Sequence, residues 1–289
     1  MTGHFAAALK RCYVSISMLL MVLALSACAS SGGSIDEIVT SVAPTPHKYA
    51  AIVVDAKSGK MLYGANAHET RYPASLTKMM TLYLMFEAMD QGRATRETLI
   101  PISAYAARRP PSKLGLKPGQ TIPVDTAIRV LVVKSANDVA TAMAEFLGGG
   151  SEARFAEMMT AKARTLGMSR TTFKNASGLP DPGQVTTATD MARLSIALRR
   201  TFPHYYGYFS QTEVTVAGRT IKGHNRAMAM IPGADGLKTG YTRASGFNLA
   251  TSVTRGGKSV VGVVMGEDKA KIRDQRMAQL MSAFVKKAK

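Results

Sequence analysis

Cysteine is nearly absent from this 289-residue chain, which has two, Cys12 and Cys28. Both precede the region that would fold, so a disulfide framework is excluded and stability must come from an apolar core. Tryptophan is absent and aromatic residues make up only 7%, yet hydrophobic residues reach 46%. This balance is typical of a globular protein, and the length allows one large core or two modest ones.

Patterns for metal and nucleic-acid binding are also lacking. The five histidines show no metal-ligand spacing, so we predict no metal and no cofactor. Acidic residues are few, with 19 Asp and Glu against 37 Lys and Arg, which gives a net charge of +18. No basic run is interleaved with aromatics and no zinc-finger or RNA-binding signature occurs, which argues against nucleic acid. The charge fits phospholipid, bacterial surface polymers or simply a solvated surface.

The N-terminus has the pattern of an export signal. Lys10 and Arg11 precede an apolar run over residues 13–27 that ends in small side chains and is short for a membrane span. We therefore predict a signal peptide over residues 1–27 and an exported, periplasmic protein.

The end of that run, Leu25-Ser26-Ala27-Cys28, resembles the bacterial lipoprotein box. Cleavage there would leave Cys28 as a lipid-bearing first residue that holds the protein at the membrane. Ordinary cleavage within Ala-Cys-Ala, with Cys28 lost, is the alternative. Residues 28–46 are rich in small and polar residues and indicate a flexible tether.

Strand patterns lie at both ends of the remaining sequence and helical patterns lie in the middle. We predict strands over residues 49–55, 60–64, 238–241, 247–254 and 259–265. Helical patterns cover residues 76–89, 124–133, 138–147, 151–166 and 189–201, and an apolar stripe at 277–285 predicts a closing helix that covers the sheet. Residues 95–121 and 175–187 indicate loops. This order predicts an α+β chain with one antiparallel sheet built from both ends and a helical insertion.

The single Ser-x-x-Lys of the chain, Ser75 and Lys78, opens the first long helical run. Residues three apart share a helix face, so the hydroxyl and the amine can meet near the positive end of the helix dipole. This is the arrangement of an activated serine nucleophile. The spacing alone also arises by chance in a chain of this length.

Two further motifs follow downstream. Ser135 and Asn137 lie in a polar break between two helices, where they could equally serve as helix caps. Lys238, Thr239 and Gly240 begin a strand, where the glycine would allow a ligand backbone to approach; a strand edge with a solvated lysine is the alternative. A second Lys-Ser-Gly at residues 57–59 lies in a tight hairpin turn, and we assign it no role.

In this order, Ser-x-x-Lys, Ser-x-Asn and Lys-Thr-Gly resemble the penicillin-recognising serine enzymes. The residues in and around these motifs are most similar to those of the serine-type D-alanyl-D-alanine carboxypeptidases, the low-molecular-mass penicillin-binding proteins. The resemblance rests on residues 73–81, 135–138, 175–180 with 186–187, and 235–242. It implies a penicillin-binding/β-lactamase-like transpeptidase fold over residues 47–289, with an antiparallel sheet of about five strands flanked by helices plus a helical subdomain.

The resemblance also implies acyl transfer on a peptidoglycan stem peptide ending in D-Ala-D-Ala. Ser75 would attack the penultimate carbonyl, and water would hydrolyse the acyl-enzyme. Lys78 would be the base, which requires burial and a like charge nearby to lower its pKa. Ser135 would relay the proton to the leaving amine, and Asn137 would hold the substrate backbone and orient the lysine.

The remaining implied residues bind substrate. Lys238 and Thr239 would hold the terminal carboxylate, assisted by Arg273, for which a surface position at a helix start is an equally good reading. The backbone N–H groups of Ser75 and Tyr241 would form the oxyanion hole. His224 is either part of the pocket wall or a structural histidine. β-Lactams would be covalent inhibitors.

Three other functions stay open. A class A-like β-lactamase would use Ser-Asp-Asn and a loop glutamate, but this chain has Ala136 and no glutamate in residues 175–187. A DD-endopeptidase that cuts cross-links is not separated by these motifs. A catalytically silent cell-wall binding protein is disfavoured by the complete set of reactive side chains. Many relatives carry a second β-domain and an amphipathic tail after the catalytic domain, whereas this sequence stops about twenty-four residues after the last predicted strand. We therefore expect membrane association to rest on Cys28.

Overall fold

The structure, a computed structural model, describes residues 45–289. The predicted signal peptide, the lipidation site at Cys28 and almost all of the predicted tether lie outside the described residues. Within residues 45–289, no helix is both long enough and apolar enough to cross a bilayer.

Five strands form one antiparallel sheet with the order β2-β1-β9-β8-β7. The strands of the described chain are β1 (Ala50–Asp55), β2 (Met61–Ala65), β3 (Leu99–Pro101), β4 (Thr121–Pro123), β5 (Glu213–Val216), β6 (Arg219–Lys222), β7 (Ala234–Thr242), β8 (Gly246–Arg255) and β9 (Lys258–Glu267). β3 pairs with β4, and β5 with β6, in two small separate sheets. Every residue of β1 is buried, as is typical of a strand covered on both faces.

Helices pack against this sheet and extend beyond it. They are α1 (Lys78–Asp90), α2 (Ala104–Ala107), α3 (Val124–Val133), α4 (Asn137–Leu147), α5 (Glu152–Thr165), α6 (Ala188–Thr201), α7 (Ala227–Met230) and α8 (Ala270–Phe284). Both α6 and α8 contact the central strand β9. Met281 lies so close to Gly262 of β9 that an added Cβ would come within 1.8 Å of its methyl carbon, so the glycine lets α8 approach the sheet.

The predicted fold class is confirmed: an antiparallel sheet of five strands from both ends of the chain, with helices inserted between them. The closing helix covers the sheet, and Ser151 caps α5, its Oγ accepting from the Arg154 N–H at 3.2 Å. The predicted loop over residues 95–121 instead contains β3 and α2, elements too short to show a hydrophobic period.

Candidate active site

Ser75 lies in a 3₁₀ turn, Ala74–Thr77, that leads directly into α1. Its neighbour Ala74 has φ +48°, a left-handed conformation that L-residues rarely adopt. Asn248 of β8 holds the preceding segment, because its side-chain amide donates to the carbonyls of Tyr72 at 3.0 Å and Pro73 at 3.1 Å. The sheet therefore fixes the backbone that presents the Ser75 hydroxyl.

Lys78 is the first residue of α1, and its side chain is fully buried. Its Nζ lies 3.1 Å from Ser75 Oγ, 2.7 Å from Asn137 Oδ1 and 2.5 Å from the Ser177 carbonyl oxygen. The predicted meeting of Ser75 and Lys78 is thus present, with Asn137 as a third member. Ser177 was not predicted to take part, because a backbone carbonyl leaves no mark on the residue pattern.

The electrostatic surroundings of Lys78 favour its neutral form. Burial, followed by the charge of Lys238, lowers the pKa of Lys78 well below its usual range. The carboxylates of Asp138 and Glu152 act in the opposite direction. A neutral amine beside a serine hydroxyl can accept its proton, which is the requirement for a general base.

Asp138 and Glu152 are buried carboxylates that also fix the walls of the site. Asp138 accepts the backbone N–H groups of Leu114 at 2.9 Å and Gly115 at 2.8 Å. Glu152 accepts the N–H of Ala176 at 3.1 Å, next to the carbonyl that binds Lys78. Hydrogen bonds to these two carboxylates therefore hold the loops that contain Leu114–Gly115 and Ala176.

Lys238 of β7 is buried, with 2% of its surface exposed, and donates to the Thr239 carbonyl at 2.9 Å. Burial, followed by repulsion from Arg273, lowers the pKa of Lys238 to about 7. Arg273 itself is buried and binds the carboxylate of Asp274 through Nε at 2.9 Å and Nη2 at 2.7 Å. The reading of Arg273 as an exposed helix-start residue is wrong, because the helix start is folded against β8.

Two glycines allow other segments to contact the turn that contains Ser75. An added Cβ on Gly240 would lie 2.9 Å from the Ser75 nitrogen, and one on Gly178 would lie 1.9 Å from the Ala74 carbonyl oxygen. Side chains at these positions would push β7 and the loop over residues 175–187 away from Ser75. Gly240 therefore brings β7 against the chain's own turn, whereas the sequence had predicted room for a ligand backbone.

Ser135 and Asn137 border the same space from the helical side. Ser135 has φ +61°, and its buried Oγ has no hydrogen-bond partner within residues 45–289. Asn137 begins α4, and its side-chain amide donates to the Pro110 carbonyl at 3.0 Å while its backbone N–H donates to the Ser112 carbonyl at 2.7 Å. These bonds tie Pro110 and Ser112 to the residue whose Oδ1 accepts from Lys78.

Most of the predicted residues line one cleft of about 980 Å³, but the buried Lys78 and Lys238 are not among its lining residues. Its walls include the predicted residues Ser75, Ser135, Asn137, Thr239, Gly240, Tyr241, Arg273 and His224. Tyr241 is 55% exposed and stacks on Phe247 with 4.2 Å between ring centroids, so its side chain forms the rim. Partial burial, followed by the charge of Lys238, lowers the pKa of His224.

The second Lys-Ser-Gly motif lies elsewhere. Lys57, Ser58 and Gly59 form an exposed turn whose backbone is capped by the carboxylate of Asp55. In the part of the chain that the structure describes, no three His, Cys, Asp or Glu side chains are grouped as metal ligands would be.

The chain matches one family of known proteins over most of its length. The family model described as D-alanyl-D-alanine carboxypeptidase matches residues 38–269. D-alanyl-D-alanine carboxypeptidase DacD of Escherichia coli is 35% identical over 87% of this chain and 67% of its own length. DacF of Bacillus subtilis is 32% identical over 92% of this chain and 68% of its own length.

Solved structures show the same likeness. Penicillin binding protein 6B from Escherichia coli has a TM-score of 0.76 at 34% identity, over 83% of this chain and 78% of that one. Penicillin-Binding Protein D2 from Listeria monocytogenes, solved with ampicillin bound, has a TM-score of 0.70 at 32% identity, over 81% and 95%. From its match over most of its length, its fold and its Ser75–Lys78 pair, the chain belongs to the D-alanyl-D-alanine carboxypeptidase family, the low-molecular-mass penicillin-binding proteins.

Proposed function

We propose that this protein removes the terminal D-Ala from peptidoglycan stem peptides, with Ser75 as nucleophile and Lys78 as general base. Ser75 Oγ attacks the carbonyl of the penultimate D-Ala, the C–N bond breaks, and the terminal D-Ala leaves with a proton. Water then attacks the acyl-serine ester and returns the enzyme to its starting state. Membership of the carboxypeptidase family supports this reaction.

The observation that carries the proposal is the set of partners around the Lys78 amine. A neutral amine has two N–H donors and one lone pair, whereas carbonyl and amide oxygens can only accept. The oxygens of Asn137 and Ser177, at 2.7 and 2.5 Å, therefore take both donors. The lone pair is left for the Ser75 hydroxyl at 3.1 Å, which is the direction that proton transfer requires.

The protonated product has a stable place as well. Once Lys78 holds the Ser75 proton, its three N–H donors match the three oxygens already around it. Asp138 and Glu152 favour this charged form. The buried hydroxyl of Ser135 has no hydrogen-bond partner within the described residues, so it is suited to carry the proton to the leaving amine.

Substrate binding falls to the β7 side of the cleft. Lys238, Thr239 and Arg273 bind the terminal carboxylate, whose charge favours the protonated form of Lys238. The backbone N–H groups of Ser75 and Tyr241 stabilise the oxyanion, and Gly240 allows β7 close enough to the Ser75 nitrogen for this.

β-Lactams are expected to acylate Ser75, and the resulting acyl-enzyme is expected to hydrolyse slowly. The loop over residues 175–187 carries no glutamate that could activate a deacylating water, and contributes the Ser177 carbonyl to Lys78 instead. The ampicillin-bound relative from Listeria monocytogenes supports β-lactam binding by this fold. Inhibition rather than rapid hydrolysis of penicillin is therefore proposed.

We also propose export to the periplasm, with a lipid on Cys28 that tethers the domain to the membrane. The lipoprotein box at residues 25–28 supports this. Expression in the presence of labelled palmitate should label the chain, and Cys28→Ser should remove the label. A wild-type chain that matures without lipid would contradict the anchor and leave the catalytic proposal untouched.

Incubation with a fluorescent penicillin and with a D-Ala-D-Ala pentapeptide tests the catalytic proposal. We expect a covalent adduct and released D-Ala, and Ser75→Ala should abolish both, while Ser58→Ala in the exposed Lys-Ser-Gly turn should change neither. An adduct without D-Ala release would contradict the carboxypeptidase activity. Rapid drug turnover would favour a β-lactamase.

A further inference from the structure

Four chain segments meet at one end of the main sheet, away from the cleft. The turn between β1 and β2 contacts the start of β9, where the Ala56 N–H donates to the Ser259 carbonyl at 2.9 Å. Arg200, at the end of α6, donates to the Ala56 carbonyl at 2.9 Å. Lys258 Nζ reaches the Lys286 carbonyl, beyond α8, at 2.7 Å. These contacts place the four segments side by side.

Each segment brings exposed cations to this end of the sheet. We call them the basic face: Lys57, Lys60, Arg200, Lys258, Lys286 and Lys287. The acidic side chain among these segments, Asp55, is 2% exposed and accepts the backbone N–H groups of Lys57 at 2.9 Å and Ser58 at 2.6 Å. Its charge is therefore turned inward, and the basic face is not balanced by an exposed acidic side chain on its own segments.

A large apolar side chain accompanies these charges. Met61 follows Lys60 directly, begins the edge strand β2, and is 43% exposed. Exposed apolar groups beside lysines are the combination that binds a bilayer interface, where the ammonium groups meet headgroup phosphates and the apolar side chain enters the acyl boundary. A soluble polyanion would use the charges and gain nothing from Met61.

We propose that the basic face is a docking surface for an anionic phospholipid bilayer. It does not depend on the chemistry at Ser75. Docking would also set the distance of the cleft from the membrane. β8 spans ten residues from Arg255, beside the basic face, to Gly246, near the Tyr241–Phe247 rim. At about 3.3 Å per residue, a docked domain holds this rim about 30 Å from the lipid surface.

Vesicle binding tests this directly with the full chain carrying Cys28→Ser, so that no lipid is attached. Binding to phosphatidylglycerol and to phosphatidylcholine vesicles is compared for this protein and for one with Lys57, Lys60, Lys258 and Lys286 changed to Gln. Each lysine near an anionic surface contributes about fivefold in affinity at low salt. We expect the quadruple variant to bind phosphatidylglycerol at least about 50-fold more weakly, with phosphatidylcholine binding unchanged.

A matched control removes four exposed charges from other surfaces, by changing Arg93, Lys117, Arg154 and Arg170 to Gln. Both variants lose the same net charge, and the segment before residue 45 is identical in both. Retention of most phosphatidylglycerol affinity by the control supports the basic face. Equal losses in the two variants, or a loss in neither, would overturn it.

Met61→Ser separates lipid from a soluble polyanion. It should weaken phosphatidylglycerol binding severalfold and leave dextran sulfate binding unchanged. If Met61→Ser has no effect on vesicles and the quadruple variant loses both ligands alike, the surface binds polyanions in general and the lipid proposal is wrong. Fluorescent-penicillin acylation should be equal in all of these proteins, so the outcome is independent of the catalytic proposal.

Discussion

Gly178→Ala should slow acylation of Ser75 without unfolding the protein. The added Cβ would lie 1.9 Å from the Ala74 carbonyl oxygen and 2.9 Å from the Ser75 nitrogen, whereas real Cβ atoms essentially never come within 3.0 Å of another heavy atom. The loop and the turn must therefore separate by more than 1 Å. A displacement of that size at a reacting group reduces the rate by about 100-fold.

Gly119→Ala is the matched control. Gly119 has φ +85° and Gly178 has φ +86°, so alanine meets the same left-handed strain at both positions, about 1–2 kcal/mol. No atom lies within 4 Å of a Cβ added to Gly119. The difference between the two variants isolates the contact with Ala74, which should lower stability by a further 1–3 kcal/mol or so.

The assay is the second-order rate of acylation by a fluorescent penicillin, with thermal unfolding measured in parallel. Gly119→Ala should acylate at nearly the wild-type rate, and Gly178→Ala about 100-fold more slowly while still unfolding cooperatively. Acylation by Gly178→Ala within about threefold of the control would refute the claim that this close approach positions Ser75.

Three further substitutions have predicted directions. Lys238→Gln should move the acidic limb of the acylation–pH profile to higher pH, because the charge that lowers the pKa of Lys78 is gone. Asp138→Asn should move the same limb to lower pH, because its carboxylate raises that pKa; shifts in the same direction would contradict both. Glu267→Gln should lower the free energy of unfolding by about 3 kcal/mol or more, measured in urea, because the buried Arg276 loses its 2.5 Å ion pair.

Glu157→Gln is a common control for the last two substitutions. Glu157 is exposed on α5, and Glu157→Gln replaces a carboxylate with an amide as the other two substitutions do, but at a surface position away from Lys78. Its pH profile and its unfolding midpoint should match those of the wild type. A stability loss in Glu157→Gln as large as that in Glu267→Gln would mean that the buried pair is not the cause.

Helices with a clear apolar period were predictable from sequence almost to the residue, and α3 has the predicted bounds, Val124–Val133. β7 was predicted over residues 238–241 but spans Ala234–Thr242. Its first part contains Asp235, a residue with low strand propensity, which pairs with Arg199 of α6 at 2.7 Å. The ion pair with Arg199 favours Asp235 in the strand despite its low strand propensity. A contact with a distant helix cannot be predicted from the local sequence pattern.

In the site, side-chain chemistry was predictable and its backbone support was not. The spacing of Ser75 and Lys78 predicted their contact, and the structure has it. The Ser177 carbonyl that binds Lys78 and the Asn248 amide that holds the nucleophile segment were missed. A carbonyl occurs in every residue, and an asparagine in a strand has no distinguishing neighbours, so only the folded contacts identify them.

The strand order also bears on when an exported chain can become active. β1 lies between β2 and β9, and among the described strands β1 is the first and β9 the last in chain order. A chain in which β7 and β8 have not yet folded lacks Lys238 at the site and the Asn248 contacts with Tyr72 and Pro73. Pairing across nearly the whole chain is a slow type of contact. A chain whose C-terminal strands have not yet joined the sheet therefore lacks a complete cleft, and we expect acylation only after they have joined it.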